Sequence, residues 1–176
     1  MTAVAGATFS AAQFNQYVRD NLNETAPAKA SAAGQYFVAT AANAIAARSC
    51  GSNTIATQED TTSTSYADLT LGTVGPSVSV VTGTSAVVHI KAGISNATIN
   101  IGTFMGFAVS GASSVAASDG NSINIAGVAA ATRSRLGASI RLTGLVAGTN
   151  VFTAKYKVAS PSTGTFVNRD LIVTPY

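Results

Sequence analysis

Apolar positions recur along this chain with two different periods. Between residues 9 and 25 they fall four apart: Phe14, Val18 and Leu22 make one stripe with Tyr17 beside it, while Asn15, Gln16, Arg19, Asp20 and Asn23 take the other side. That spacing predicts an amphipathic helix. Ser10 stands where an N-cap is needed and Gln13 three residues on completes a capping box, with Phe9 and Phe14 placed as a hydrophobic staple. Pro27 ends the helix, because the residue before a proline is pushed out of the α region. One short amphipathic helix cannot bury its stripe alone. Phe9, Phe14, Tyr17, Val18 and Leu22 are therefore expected to dock on another surface.

From Ala26 to about Gln58 the chain is rich in alanine, with one apolar patch at Tyr36-Phe37-Val38. So many small apolar residues make poor solvated linker. The segment reads as an extended arm that orders against another subunit, with Tyr36 and Phe37 among its contacts. After Thr61 the period changes to two. Short runs at 66–71, 77–82, 85–92, 97–110, 122–128, 137–143, 150–158 and 165–174 are separated by turn residues such as Asp119-Gly120 and Ser160-Pro161-Ser162. Regular short strands of this kind predict an antiparallel sandwich. The clearest alternation puts Phe152, Ala154, Tyr156 and Val158 on one face, and Thr153, Lys155 and Lys157 on the other. The expected architecture is mainly β: residues 1–34 as helix and docking segment, 35–60 as extended arm, and 61–176 as a jelly-roll-like β-sandwich.

Composition sharpens this. Apolar residues are 47% of the 176, yet only 7% are aromatic and none is Trp, so the core must be built from small and β-branched side chains. Charged residues are 10%, well below the ~25% of an average soluble domain. Ser, Thr, Asn and Gly supply the polarity instead, as is usual for virion-surface and extracellular β proteins and unusual for a cytosolic enzyme. The net charge of +3 is carried by ten bases scattered along the sequence, with no Lys/Arg run. The expectation is no nucleic-acid footprint. Cys50 is the lone cysteine, which excludes an intrachain disulfide. No apolar run reaches transmembrane length, so no membrane partner is expected, and the N-terminus lacks the charged and Leu-rich regions of a signal peptide.

The residues that carry chemistry are few. His89, the single histidine, lies in Val87-Val88-His89-Ile90-Lys91 on the face opposite Val88 and Ile90. The default reading is a strand position at an edge or interface; a place near a symmetry axis is the alternative. A triad needs an acid and a distinguished nucleophile around it, and serine is too abundant here for one to stand out. Glu59-Asp60 sit together in a Thr/Ser-rich connection, and Asp119-Gly120-Asn121 reads as a turn, since it lacks the further oxygens of a Ca²⁺ loop. One His and one Cys exclude a zinc site within a chain, and no phosphate-binding Gly motif occurs. No catalytic, metal or cofactor residue is assigned. Arg133, Arg135 and Arg141 would join Lys155 and Lys157 in a mildly basic face if their strands are neighbours.

Two stretches carry a family resemblance. The run Phe9-Ser10-Ala11-Ala12-Gln13-Phe14-Asn15-Gln16-Tyr17-Val18-Arg19-Asp20-Asn21-Leu22-Asn23 resembles the "T-A-A-x-(L/F)-N-x-x-(V/I)-R-D-N-L-N" opening of small structural proteins of tailed phages of actinobacteria and related hosts. The runs Leu142–Tyr156 and Gly164–Val173 resemble the C-terminal half of β domains in the same proteins. At greater distance, Phe104–Val109, Leu145–Tyr156 and Phe166–Val173 are similar in order to the trimeric jelly rolls of the tumour-necrosis-factor and complement-head type. The resemblance implies a non-enzymatic virion protein that self-associates as a homotrimer and docks on a phage major capsid or tail protein. Head decoration or a minor capsid role is favoured over a minor tail or tail-tip role. A host-surface glycan is the alternative partner, with Tyr66 and Tyr176 as candidate contacts.

Overall fold

The computed structural model describes residues 8, 10–23, 25, 29–70, 74–127 and 129–176. The chain divides into two compact units, Met1–Arg48 and Ser49–Tyr176. The boundary expected at residue 60 thus falls after Arg48 instead.

In the second unit the strands are β3 (Gly51–Ile55), β4 (Glu59–Thr61), β5 (Ser77–Thr82), β6 (Ser85–Asn96), β7 (Gly102–Gly111), β8 (Ser122–Ala126), β9 (Ser134–Thr143), β10 (Gly148–Val158) and β11 (Gly164–Pro175). Their antiparallel pairings nest. β7 pairs with β8, β6 with β9, β5 with β10 and β3 with β11, each enclosing the one before. Such nesting is one long hairpin wrapped over itself, which is a jelly roll. Cross-pairs β10–β7 and β11–β6 complete two sheets, β5-β10-β7-β8 and β3-β11-β6-β9, with β4 also on β11. The antiparallel sandwich expected from period-two patterning is present.

The core lies between the sheets. Phe152, Ala154, Tyr156 and Val158 all point inward with no exposed surface, as their alternation predicts. Met105 and Phe107 of the neighbouring β7 join them, and the opposing sheet contributes Val88, Ile90 and Ile94 of β6 and Phe166, Leu171 and Val173 of β11. Tyr156 and Phe166 meet edge to face at 4.7 Å between centroids.

Two sequence expectations shift here. Of run 66–71, the described residues 66–70 form no strand: they contribute one bridge, Ala67 to Tyr156. β5 covers β10 only as far as Thr153, and beyond it the free edge is met piecemeal by the Pro76, Ala67 and Ser63 carbonyls. Residues 97–101 form a turn ahead of β7, because the Asn96 side chain accepts the Thr98 N–H at 2.8 Å and Asn100 takes φ 58°, a conformation asparagine tolerates.

Residues 51–60, expected in an extended arm, belong instead to the edge of the sandwich through β3 and β4, and a buried ion pair holds them there. β11 bulges between Val167 and Asp170, with Asn168 at φ 48°, and the extra residue turns the Arg169 side chain inward. Arg169 donates to Glu59 Oε2 at 3.1 Å and to the Thr57 carbonyl at 3.2 Å, both groups of the pair being buried. Tyr156 completes the cluster by donating to the Gly75 carbonyl at 2.6 Å. Gly75 itself has φ +108°, and a Cβ there would stand 2.8 Å from the Ser77 nitrogen.

Candidate functional site

The N-terminal unit holds the residues expected to dock. Its helix runs as an α turn Ala11–Phe14, a π turn Asn15–Arg19 and an α turn Asp20–Asn23. The capping box forms: Gln13 N–H donates to Ser10 Oγ at 3.2 Å, and Ser10 N–H to Gln13 Oε1 at 3.0 Å. In an α-helix a step of four residues overshoots one turn by ~40°. The wider π turn, where Asp20 N–H reaches back to the Asn15 carbonyl, undershoots it. The two drifts offset, so Phe14, Val18 and Leu22 keep to one stripe. Phe14 is 53% and Leu22 61% exposed, Tyr17 is also exposed, and Val18 is half-buried. Phe9 and Pro27 lie outside the described residues.

The same unit carries a two-stranded hairpin, β1 (Tyr36–Ala41) and β2 (Ala44–Arg48). It occupies the first part of residues 35–60, expected as an extended arm. Asn43, at φ 58°, makes the tight turn possible. Cross-strand pairs Phe37–Ala47 and Ala39–Ile45 share one face, Tyr36–Arg48 and Val38–Ala46 the other. Both faces are therefore largely apolar. Phe37 is exposed and Tyr36 half-buried. A lone two-stranded ribbon is marginal in water.

On the sandwich, the basic face is not where the sequence placed it. β9 and β10 belong to different sheets, so Arg133, Arg135 and Arg141 stand apart from Lys155 and Lys157. Lys155 is bound to both oxygens of Asp68, at 2.7 and 2.8 Å. Lys157 contacts Asp119 at 2.7 Å and lies over the rings of Tyr66 and Phe104. Tyr66 also donates to Asp119 at 3.0 Å. Burial pushes the Tyr66 phenol up to about 12, while Lys157 holds the Asp119 carboxyl below the usual range. Tyr66 is thus engaged rather than free to stack on a ligand.

What the sequence scatters, the β6–β9 ladder gathers. Val87 pairs with Arg141, His89 with Ser139, Lys91 with Gly137 and Gly93 with Arg135. These residues face outward, because their neighbours Val88, Ile90 and Ala92 are buried. Lys91 binds Asp170 at 2.6 Å and Arg135 approaches it at 3.8 Å. Burial raises the Asp170 carboxyl, but the bonds from Lys91 and Thr54 and the charge of Arg135 outweigh it and hold it low. His89 Nδ1 shares a 2.7 Å hydrogen bond with Ser139 Oγ. Among the described residues no carboxylate bonds His89, so this pair lacks the orienting acid of a triad. The even spacing of Arg135 and Arg141 signals one face in the sequence. That Lys91 and His89 join them depends on a register no local pattern gives.

A shallow groove of about 440 Å³ is lined by Asp60, Thr61, Thr62, Ser63, Asp68 and Thr70 among others. Among the described residues no three metal-ligating side chains cluster, and no helix is long and apolar enough to cross a membrane.

Compared with protein families and with curated protein sequences, the chain finds no match. Among solved structures, that of infectious bursal disease virus, Gx strain, is similar at 10% identity and a TM-score of 0.45 over 78% of this chain and 36% of that one. The chain thus spans about a third of that protein's length. A likeness of that quality assigns neither fold nor role. The fold rests on the strand pairings.

Proposed function

We propose that this protein is a non-enzymatic structural subunit of a bacteriophage particle, a head decoration or minor capsid protein. The N-terminal unit docks on the major capsid protein and the jelly roll is displayed outward, with copies associating as homotrimers. One observation carries the reading: the helix presents Phe14, Tyr17 and Leu22 to solvent although its cap and turns are fully formed. A built helix with an uncovered stripe is half of an interface. The likeness of residues 9–23 to the opening of tailed-phage structural proteins supports the particle, and the charge-poor, hydroxyl-rich composition supports an exposed place on it. Burying the stripe contributes ~25 cal/mol per Å² of apolar surface, and repetition over linked copies adds avidity.

Deleting residues 1–34 tests this. The shortened protein should remain folded and be missing from purified particles. Retained incorporation places docking in the sandwich and ends the reading. Labelling intact particles separates a decoration, with many copies over the shell, from a tail protein with few copies at one end.

A further inference from the structure

The outer face of the β6–β9 sheet edge carries more charge than the docking reading uses. Lys91, Arg133, Arg135 and Arg141 stand there beside the carboxylate of Asp170. Arg133 reaches this face because Gly93 has no side chain: a Cβ there would meet the Arg133 stem at 3.2 Å. Elsewhere on the sandwich, Lys155, Lys157 and Arg169 each have an acidic partner. The positive surplus of the domain is therefore concentrated on one side.

Within this track Arg141 differs from the others. Arg133 is held by Gln58 at 2.6 Å, and Lys91 and Arg135 share Asp170. Arg141 is exposed and, among the described residues, makes no ion pair or side-chain hydrogen bond. It borders a concavity of about 360 Å³ together with Ser85, Val87 and Tyr176. Tyr176 is 46% exposed, but its backbone is fixed: its N–H donates to the Ser85 carbonyl at 2.8 Å and its carbonyl accepts from Gly83 at 2.7 Å. The ring is thus carried on a pinned backbone beside an unengaged guanidinium.

We propose that this face binds acidic oligosaccharides, with Arg141 taking a sugar carboxylate and Tyr176 with Val87 taking the apolar side of the ring. A guanidinium binds a carboxylate through two parallel hydrogen bonds, and a tyrosine offers an apolar body with a polar tip. Ser85 adds a hydroxyl to the lining. From Arg141 to Arg135 the strand runs ~20 Å, so the track takes several sugar units and places further carboxylates near Arg135 and Lys91. Nucleic acid fits less well. Duplex binders commonly neutralise about 6–10 phosphates and single-strand binders stack successive bases on several aromatics, whereas this face has four basic side chains and two exposed rings, Tyr176 and the imidazole of His89.

The proposal concerns the sandwich and is independent of docking, so either can fail without the other. The intact chain is titrated by calorimetry with tetragalacturonate, with its methyl ester, and with a single-stranded oligonucleotide of equal charge. Tetragalacturonate should bind, and Arg141→Ala should weaken it at least about tenfold, with Tyr176→Ala weaker than the parent too. Both side chains lie at the surface, and circular dichroism confirms that the variants fold. Any of three results overturns the proposal: no binding of the acid, equal binding of the ester, or Arg141→Ala binding as tightly as the parent. Equal affinity for the oligonucleotide also overturns it, since the face is then a general polyanion surface.

Discussion

In the sandwich, Phe107, Phe152, Tyr156 and Phe166 have no exposed surface, whereas in the N-terminal unit Phe14, Tyr17, Leu22 and Phe37 are between 38% and 61% exposed. The residue types are similar. What differs is the range of the pairings around them. The sandwich closes through ladders that join distant strands, such as β3 with β11 and β5 with β10. The N-terminal unit has only local structure: a helix stapled by its own cap and a hairpin closed by a two-residue turn. Local structure of this kind buries Val38 but leaves Phe14, Tyr17, Leu22 and Phe37 exposed. The core cluster accordingly takes no residue from before Leu69. The lesson is that an element can be well formed and still be incomplete.

The largest effect should appear on cutting the chain between the units. Residues 49–176 should fold alone and unfold cooperatively at nearly the denaturant midpoint of the full chain. Residues 1–48 should show little helical circular dichroism, because a helix this short is marginal without packing. Cooperative unfolding of the short piece would abolish the contrast, since the exposed stripe would then not need a partner.

That contrast was partly legible in the sequence. The capping box, the four-residue stripe and the alternation of Phe152 to Val158 are local signals, and each element they predict is present. The hairpin was missed because alanine has weak strand preference, and only Asn43 marked its turn. The edge strands β3 and β4 were missed for a different reason. Gly51–Ile55 is polar and short, and it becomes a strand only because β11 lies beside it. The basic track likewise needs the register of β6 on β9, which sets Lys91 and Arg135 on one face although 44 positions separate them in sequence.

A smaller effect tests where the division between the regions truly lies. The Arg169–Glu59 pair is the internal clamp that makes residues 57–61 part of the sandwich rather than of an arm. Glu59→Ala removes the carboxylate bonded to the buried guanidinium, and should cost about 3–5 kcal/mol in denaturant unfolding. Glu59→Leu combined with Arg169→Met should recover most of that loss, because it removes both charges together. A Glu59→Ala loss below about 0.5 kcal/mol, the range of an ordinary surface change, would return this segment to the arm.

The smallest effect on stability should accompany the greatest loss of assembly. Phe14→Ser with Leu22→Ser changes two side chains that are already more than half exposed, so unfolding of the isolated protein should move by no more than about 0.5 kcal/mol. On the proposed docking, the same pair is buried in the particle. Each side chain then contributes ~1.5–3 kcal/mol on leaving water, and linked copies compound the loss, so the double variant should be missing from purified particles by mass spectrometry. Thr40→Ser, a polar change on the hairpin, should be incorporated normally. The comparison inverts if the double variant unfolds as readily as a core substitution: the stripe would then be covered within the chain, and its solvent-facing geometry would give no reason to look for a partner.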